Sequence, residues 1–322
     1  MVADGTRIEW ADATWNPVTG CSVISPGCAN CYAMRLAGGR LRHHPSRAGL
    51  TMATKAGPVW TGGVTFNEDW LGQPLRWRRP RRIFVCAHGD LFHENVPYGW
   101  IERVFAVMAL APWHKFLVLT KRPERMREYC EPGGRDLPLH NVWLGVSVED
   151  QTRADQRIPI LLDTSAALRW VSAEPLLGPI DLGRLTTATG DPRHKFDALR
   201  GQWLLRGKGV DGSPDLTVRT ETIAQRLDWV VAGGESGPAA RPMNPDWARS
   251  LRDQCQTAGV PFFFKQWGSF APARPELNYA EAEALAGGRD RVMWSNGETS
   301  IRLGKKRAGA LLDGREWREC LQ

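Results

Sequence analysis

The sequence predicts an α/β protein: a partial or complete (β/α) barrel of parallel strands with a small C-terminal extension. Three observations carry this. Short apolar runs recur from residue 82 onward, and each ends in polar residues: "RIFVCAHGD" (82–90), "KFLVLTKRP" (115–123), "VWLGVSVED" (142–150), "LRWVSAEPLLG" (168–178), "DWVVAGGESG" (228–237) and "PFFFKQWG" (261–268). The runs do not alternate apolar with polar, so they read as parallel strands covered on both faces. All but one of the spacings between them are 26–33 residues, the length of one strand–helix repeat.

The elements follow in order. A short strand at Ala13–Asn16 comes first, which makes seven strands with the six runs above. A cysteine-rich loop follows, and "YAMRLAGGRL" then reads as a helix whose N-terminus faces the thiols. "WIERVFAVMALA" (100–111) is an amphipathic helix. "NPDWARSLRDQCQTAG" (244–259) is another, with Asn244 as cap, Pro245 in the first turn and Gly259 as stop. Trp247, Leu251 and Cys255 recur every four residues, which places Cys255 in the core. The polar, Gly-rich stretch near 181–227 breaks the repeat and reads as an insertion. The barrel thus spans 1–268. In the remainder, 269–322, "RVMWSNGETSIRLG" reads as a hairpin with an Asn-Gly turn and "KKRAGALLDG" as a short helix.

Composition narrows the class. The chain has 322 residues, 42% hydrophobic and 24% charged, which are globular values. It holds no apolar run of about 18 residues, so no membrane span is expected. The first residues lack the pattern of a signal peptide. Seven cysteines without an export signal point to a reducing cytoplasm, where clustered thiols serve metals more often than disulfides. A net charge of +7 permits a nucleic-acid partner and equally fits an Arg-rich composition. "RWRRPRR" (76–82) precedes a strand, so it belongs to the N-terminal end of the barrel and reads as a solvated basic rim, with nucleic-acid docking as the alternative.

In a barrel the strand C-termini converge on one mouth. The groups delivered there are Asp90 and His93, Lys121 and Arg122, Ser147 and Glu149, Ser172 and Glu174, Gly233 to Ser236, and Lys265 with Gln266. Trp267 could stack a base there.

The loop after strand one carries the most specific signal. "TGCSVISPGCANCYA" places Cys21, Cys28 and Cys31 within eleven residues, the last two as C-x-x-C. Thiolates at such spacing bind soft metals or iron–sulfur clusters. Three ligands leave two outcomes: a four-iron, four-sulfide (4Fe-4S) cluster with one iron open to a small molecule, or zinc with His43 or His44 as the fourth ligand. Cys86, Cys130 and Cys320 carry no spacing signal, and Cys86 reads as a buried strand residue.

"TWNPVTGC", "GCANCYA", "DLFHENVP", "LTKRPERM", "WLGVSVE", "SAEPLLGPI", "VVAGGESGPAARPM" and "PFFFKQWG" occur in order over about residues 8–268, followed by "GKKRAGALLDG". With these pieces the chain resembles the phage and bacterial three-cysteine family named for phage gene products thirty-seven and sixty-eight. It also resembles a divergent branch of the radical S-adenosylmethionine superfamily. Six residues separate its first two cysteines where the common radical pattern has three, and its aromatic, Tyr32, follows the last cysteine rather than preceding it. The "GGE" at 233–235 is similar to the superfamily's methionine-binding glycines, but it comes late in chain order.

The resemblance implies a 4Fe-4S cluster on Cys21, Cys28 and Cys31 and S-adenosylmethionine as cofactor. A 5′-deoxyadenosyl radical would then abstract hydrogen from a substrate that the sequence does not name, a nucleotide or nucleic acid being one candidate. Tyr32, Glu149, Ser172, Glu174, Gly233, Gly234 and Glu235 become candidate cofactor-binding residues. Asp90, Lys121 and Lys265 become candidate catalytic residues, with Lys121, Arg122 and Lys265 suited to a carboxylate or phosphate. An electron donor or partner protein is implied. The rival expectation is a non-catalytic, zinc-stabilised phage accessory or nucleic-acid-binding protein.

Overall fold

The computed structural model describes residues 6, 8–131, 138–186, 194–208, 214–222, 225–273 and 290–321, with side chains omitted for 205–208 and 214–222. The principal elements in chain order are β1 (Ala13–Trp15), α1 (Tyr32–Gly38), β2 (Arg82–Val85), α2 (Tyr98–Leu110), β3 (Lys115–Thr120), α3 (Pro123–Cys130), β4 (Val142–Ser147), α4 (Gln151–Leu162), β5 (Leu168–Ala173), β6 (Trp229–Gly233), α5 (Pro245–Ala258) and β7 (Phe262–Gln266). The seven strands pair in their sequential order, β1 to β7, as one parallel sheet. This is a partial (β/α) barrel, the architecture the apolar runs predict. By contact density the chain divides into two units, Met1–Ser147 with Ile160–Trp170, and Val148–Pro159 with Val171–Gln322.

In the first unit the register runs Ala13↔Ile83, Phe84↔Leu117 and Val118↔Leu144. Every residue of β4 is buried. Strands covered on both faces need apolar side chains on both, which is why these runs do not alternate. Trp10 packs edge-on against Phe84 and Trp170, at centroid distances of 4.8 and 5.2 Å. Gly145 explains itself here: a Cβ at that position would stand 2.5 Å from the Trp170 indole nitrogen. A glycine inside a strand marks such a close approach.

In the second unit β6 and β7 pair in parallel, Val230↔Phe262 to Ala232↔Phe264. Helix α5 buries Ala248, Leu251 and Cys255 against this unit's core. Its Asn244 side chain accepts a hydrogen bond from the Asp246 amide, and Gly259 closes it at φ 66°. Among the described residues the insertion forms four antiparallel strands, Leu185–Thr186, His194–Asp197, Gln202–Lys208 and Pro214–Thr222. The expected C-terminal hairpin forms between Arg291–Met293 and Thr299–Arg302, with Phe270–Pro272 as a third strand. Helix Lys305–Ala308 follows. No helix of the described residues is long and apolar enough to cross a membrane.

Candidate functional site

The cysteine loop leaves β1 through Val18–Thr19, which pairs antiparallel with Thr65–Phe66. Gly20 is required at the exit. Its φ is +100°, and a Cβ there would stand 2.2 Å from the Gly63 carbonyl oxygen. Pro26–Cys28 then makes one 3-10 turn, closed by the Cys28 amide on the Ser25 carbonyl at 2.9 Å. The Cys31 amide bonds the Cys28 carbonyl at 3.2 Å, and α1 starts at the next residue. This backbone carries the three thiols on one short segment. Burial pushes the Cys21 thiol up to about 12, Asp90 adds to the rise, Arg122 opposes it, and Cys28 and Cys31 lie close enough to add further. Cys21 and Cys31 rest against a small core of Ala33, Met34, Ala37, Leu50 and Trp60.

All seven cysteines are free thiols. The donor set therefore fits a three-thiolate centre: three unpaired thiols from one segment, within electrostatic reach of each other. The thiols do not already form a coordination shell, for no group of three or more His, Cys, Asp or Glu among the described residues is arranged to hold a metal ion. His43 and His44, the candidate fourth ligands for zinc, are otherwise engaged. His43 Nε2 accepts from Arg42 Nε at 2.8 Å, and His44 Nδ1 is 2.7 Å from the Ser46 hydroxyl.

A polar network ties the loop to the ends of β2 and β3. Asp90 accepts from the Thr120 hydroxyl (2.7 Å), the Phe92 amide (3.0 Å), the Lys121 amide (3.2 Å) and Arg122 Nη1 (3.1 Å). Four donors occupy this buried carboxylate, so it organises the loops that surround it. Arg122 Nε bonds Glu94, and Arg122 Nη2 is buried without a partner. Burial raises the Glu94 carboxyl, but hydrogen bonds from Arg122, its own backbone and Ser22 bring it down to about 2. His93 Nδ1 accepts the Asn95 amide at 3.1 Å, so Nε2 carries the hydrogen and donates to the Ser22 hydroxyl. Ser22 in turn donates to Glu94 at 2.9 Å. Lys121 is half-buried, and its ammonium has no partner among the described residues. Tyr32 is 52% exposed, and its hydroxyl donates to the Ala87 carbonyl.

The second unit brings together the other expected groups. Lys265 Nζ bonds both oxygens of Glu174, at 2.7 and 3.0 Å. Glu235 is buried and takes Arg241 by its backbone amide, Nε and Nη2, at 2.9, 2.9 and 2.7 Å. That hydrogen-bonded pair raises the Arg241 pKa, with Glu149 adding to it. Glu149, 1% exposed, pairs with Arg157 at 3.0 Å. Ser172 is buried, and its carbonyl receives the Val148 amide. Gly234 is fixed by a backbone crossing, since a Cβ there would lie 2.0 Å from the Trp267 carbonyl oxygen. Gly233 faces Glu174, whose carboxyl carbon would be 3.5 Å from an added Cβ.

Trp267 differs from the expectation. It is buried, and its indole nitrogen donates to the Leu311 carbonyl at 2.8 Å, so it belongs to the core and has no open face for a base. Cys86 is buried as expected but lies one residue past β2, at φ 54°.

Sequence reading missed Ser22, Glu94, Arg157 and Arg241. Glu94 was within reach, because "DLFHENVP" contains it beside His93. The arginines carry no spacing signal, and only the fold pairs them with Glu149 and Glu235.

Fold and site together define a partial-barrel α/β protein with a three-cysteine loop after its first strand. The chain belongs to the family described as protein of unknown function (DUF5131), matched over residues 5–320. Comparisons with curated proteins and with solved structures gave no match.

Proposed function

We propose that the chain is an iron–sulfur enzyme of the radical S-adenosylmethionine type. The observation that supports this is the placing of Cys21, Cys28 and Cys31 on the one loop that leaves the first strand of a partial parallel barrel. Three thiolates would hold a 4Fe-4S cluster and leave one iron for the cofactor. When bound, cluster and cofactor together supply one-electron cleavage of a sulfonium and a carbon radical.

The chain's own residues bind and orient. Arg122 sets a positive charge against Cys21, and Ser22, His93 and Glu94 hold the loop in place. Tyr32 borders the loop. In the second unit Lys265 and Glu174 hold each other as an ion pair at neighbouring strand ends, one basic and one acidic group. Ser172, Gly233, Gly234, Glu149 and Glu235 frame the strand ends beside them. Lys121, a cation without a partner among the described residues, is available to an anionic substrate, and Asp90 holds the backbone on which it sits.

Anaerobic reconstitution with iron and sulfide, followed by EPR of the reduced protein, tests the reading. A cluster signal lost in Cys28→Ala, with 5′-deoxyadenosine formed on adding reductant and S-adenosylmethionine, is the expected result. Stoichiometric zinc with no cluster would instead identify a non-catalytic, zinc-stabilised protein. A cluster that never cleaves the cofactor would reduce the assignment to an electron carrier.

A further inference from the structure

Arg47 is 4% exposed, yet among the described residues no carboxylate pairs with it. Its Nη1 donates to the Ser46 carbonyl and hydroxyl, at 3.1 and 2.6 Å, and its Nε is buried without a partner. Arginine is almost never fully buried unless paired, because a bare charge taken out of water costs several kcal/mol. The remaining nitrogen, Nη2, lies 2.6 Å from His88 Nδ1. A guanidinium can only donate, so Nδ1 accepts and the imidazole hydrogen sits on Nε2. Nε2 has no hydrogen-bond partner among the described residues. Burial, then Arg47, then Arg40 lower the His88 pKa to about 4, so the ring is neutral and keeps this tautomer at ordinary pH. The ring is half-buried, Arg40 is exposed, and the Tyr32 ring stands edge-on to His88 at 6.0 Å.

We propose that Arg47, His88 and Arg40 form a binding site for the phosphate group of a ligand, distinct from the cysteine ligands. His88 Nε2–H is the donor that meets it, Arg47 stands behind the imidazole as the buried positive charge, and exposed Arg40 adds positive charge on the open side. Every group here donates and none accepts, which suits an anion. A phosphate brings three acceptor oxygens and up to two charges to this cluster of donors, where a carboxylate brings two oxygens and one charge. The proposal does not depend on which metal, if any, the cysteine loop holds.

The test is thermal melting and calorimetric titration of the full chain with inorganic phosphate, against sodium chloride at matched ionic strength and against acetate. Phosphate should raise Tm with concentration, as a ligand of the native state does, and neither control should reproduce the rise. Arg47→Met should abolish the phosphate effect without lowering Tm in its absence, since an apolar side chain of similar length removes an uncompensated buried charge. Arg40→Ala, an exposed change that leaves the fold intact, should weaken phosphate binding about tenfold, equivalent to about 1.4 kcal/mol. The proposal is overturned by a phosphate effect equal to that of chloride or acetate. It is equally overturned by phosphate binding that survives in both variants, or by a fall in Tm on Arg47→Met with phosphate binding unchanged, which would make Arg47 a structural plug.

Discussion

Arg122 Nη1 stands 3.7 Å from the Cys21 sulfur and 3.1 Å from Asp90 Oδ2, so one buried guanidinium faces a thiol and a carboxylate together. Burial and Asp90 both oppose ionisation of the Cys21 thiol, and Arg122 is the charge that favours it. The Arg122 and Asp90 side chains are 10% and 7% exposed. Removing one partner of a buried pair leaves the other charge uncompensated, which typically costs 3–5 kcal/mol. Arg122→Met is therefore expected to lose about 3 kcal/mol in urea unfolding. A loss under about 1 kcal/mol would mean that water already screens the pair.

Helix α5 is the element whose ends were most legible. Asn244 Oδ1 accepts the Asp246 amide at 3.0 Å, in the role its place before Pro245 predicts. Asn244→Ala should cost about 1 kcal/mol and Asn244→Asp almost nothing, read from chemical denaturation. Equal losses in both would remove the side-chain cap as the cause.

Legibility followed the range of the interaction. The seven strands could be read because burial on both faces leaves unbroken apolar runs, and Ile83 to Val85 or Val142 to Val146 need no distant partner to be recognised. The three cysteines could be read because their spacing is local. The pairs Glu149–Arg157, Glu235–Arg241 and Lys265–Glu174 were only half legible: the acids stand at strand ends, but the last pair joins residues 91 apart in sequence. Arg47 was silent, because nothing in "PSRAG" announces burial; that comes from packing beneath the Trp70 ring, 5.6 Å away.

Two adjacent glycines should respond differently to the same change. Adding a methyl group at Gly234 drives it into the Trp267 backbone at 2.0 Å, whereas at Gly233 its nearest neighbours stand at 3.4 Å. A backbone neighbour cannot rotate away, so Gly234→Ala should destabilise by about 2–3 kcal/mol. Gly233→Ala should stay within about 1 kcal/mol. Thermal melts of the two variants decide it, and a milder effect at Gly234 would contradict the crossing.

The His88 pKa falls from 6.5 to about 4 on folding, through burial first and then Arg47 and Arg40. In the window between those values the unfolded chain binds a proton that the folded chain does not, so stability falls as pH falls. The contribution is complete above the unfolded value, declines from about pH 6.5 to about pH 4, and is flat below. His88→Gln removes the titrating group and should flatten that slope in phosphate-free buffer. Parallel slopes for the two proteins would place the pH dependence elsewhere.

Cys28 and Cys255 are both buried thiols, and their substitutions should separate ligation from packing. Cys255 is fully buried on the core face of α5, and burial drives its pKa upward, so it is held as an inert thiol. Cys28 lies on a 3-10 turn with its sulfur 3.7 Å from the Ser25 hydroxyl, in the segment that also carries Cys21 and Cys31. Cys255→Ala should therefore cost about 1 kcal/mol of stability and leave iron content after reconstitution unchanged. Cys28→Ala should leave the melting temperature of the metal-free protein within a few degrees and lose most of the bound iron. Iron and sulfide analysis beside calorimetry reads both quantities on the same samples. If both variants bind iron as the parent does, the cysteine loop is not the ligand set.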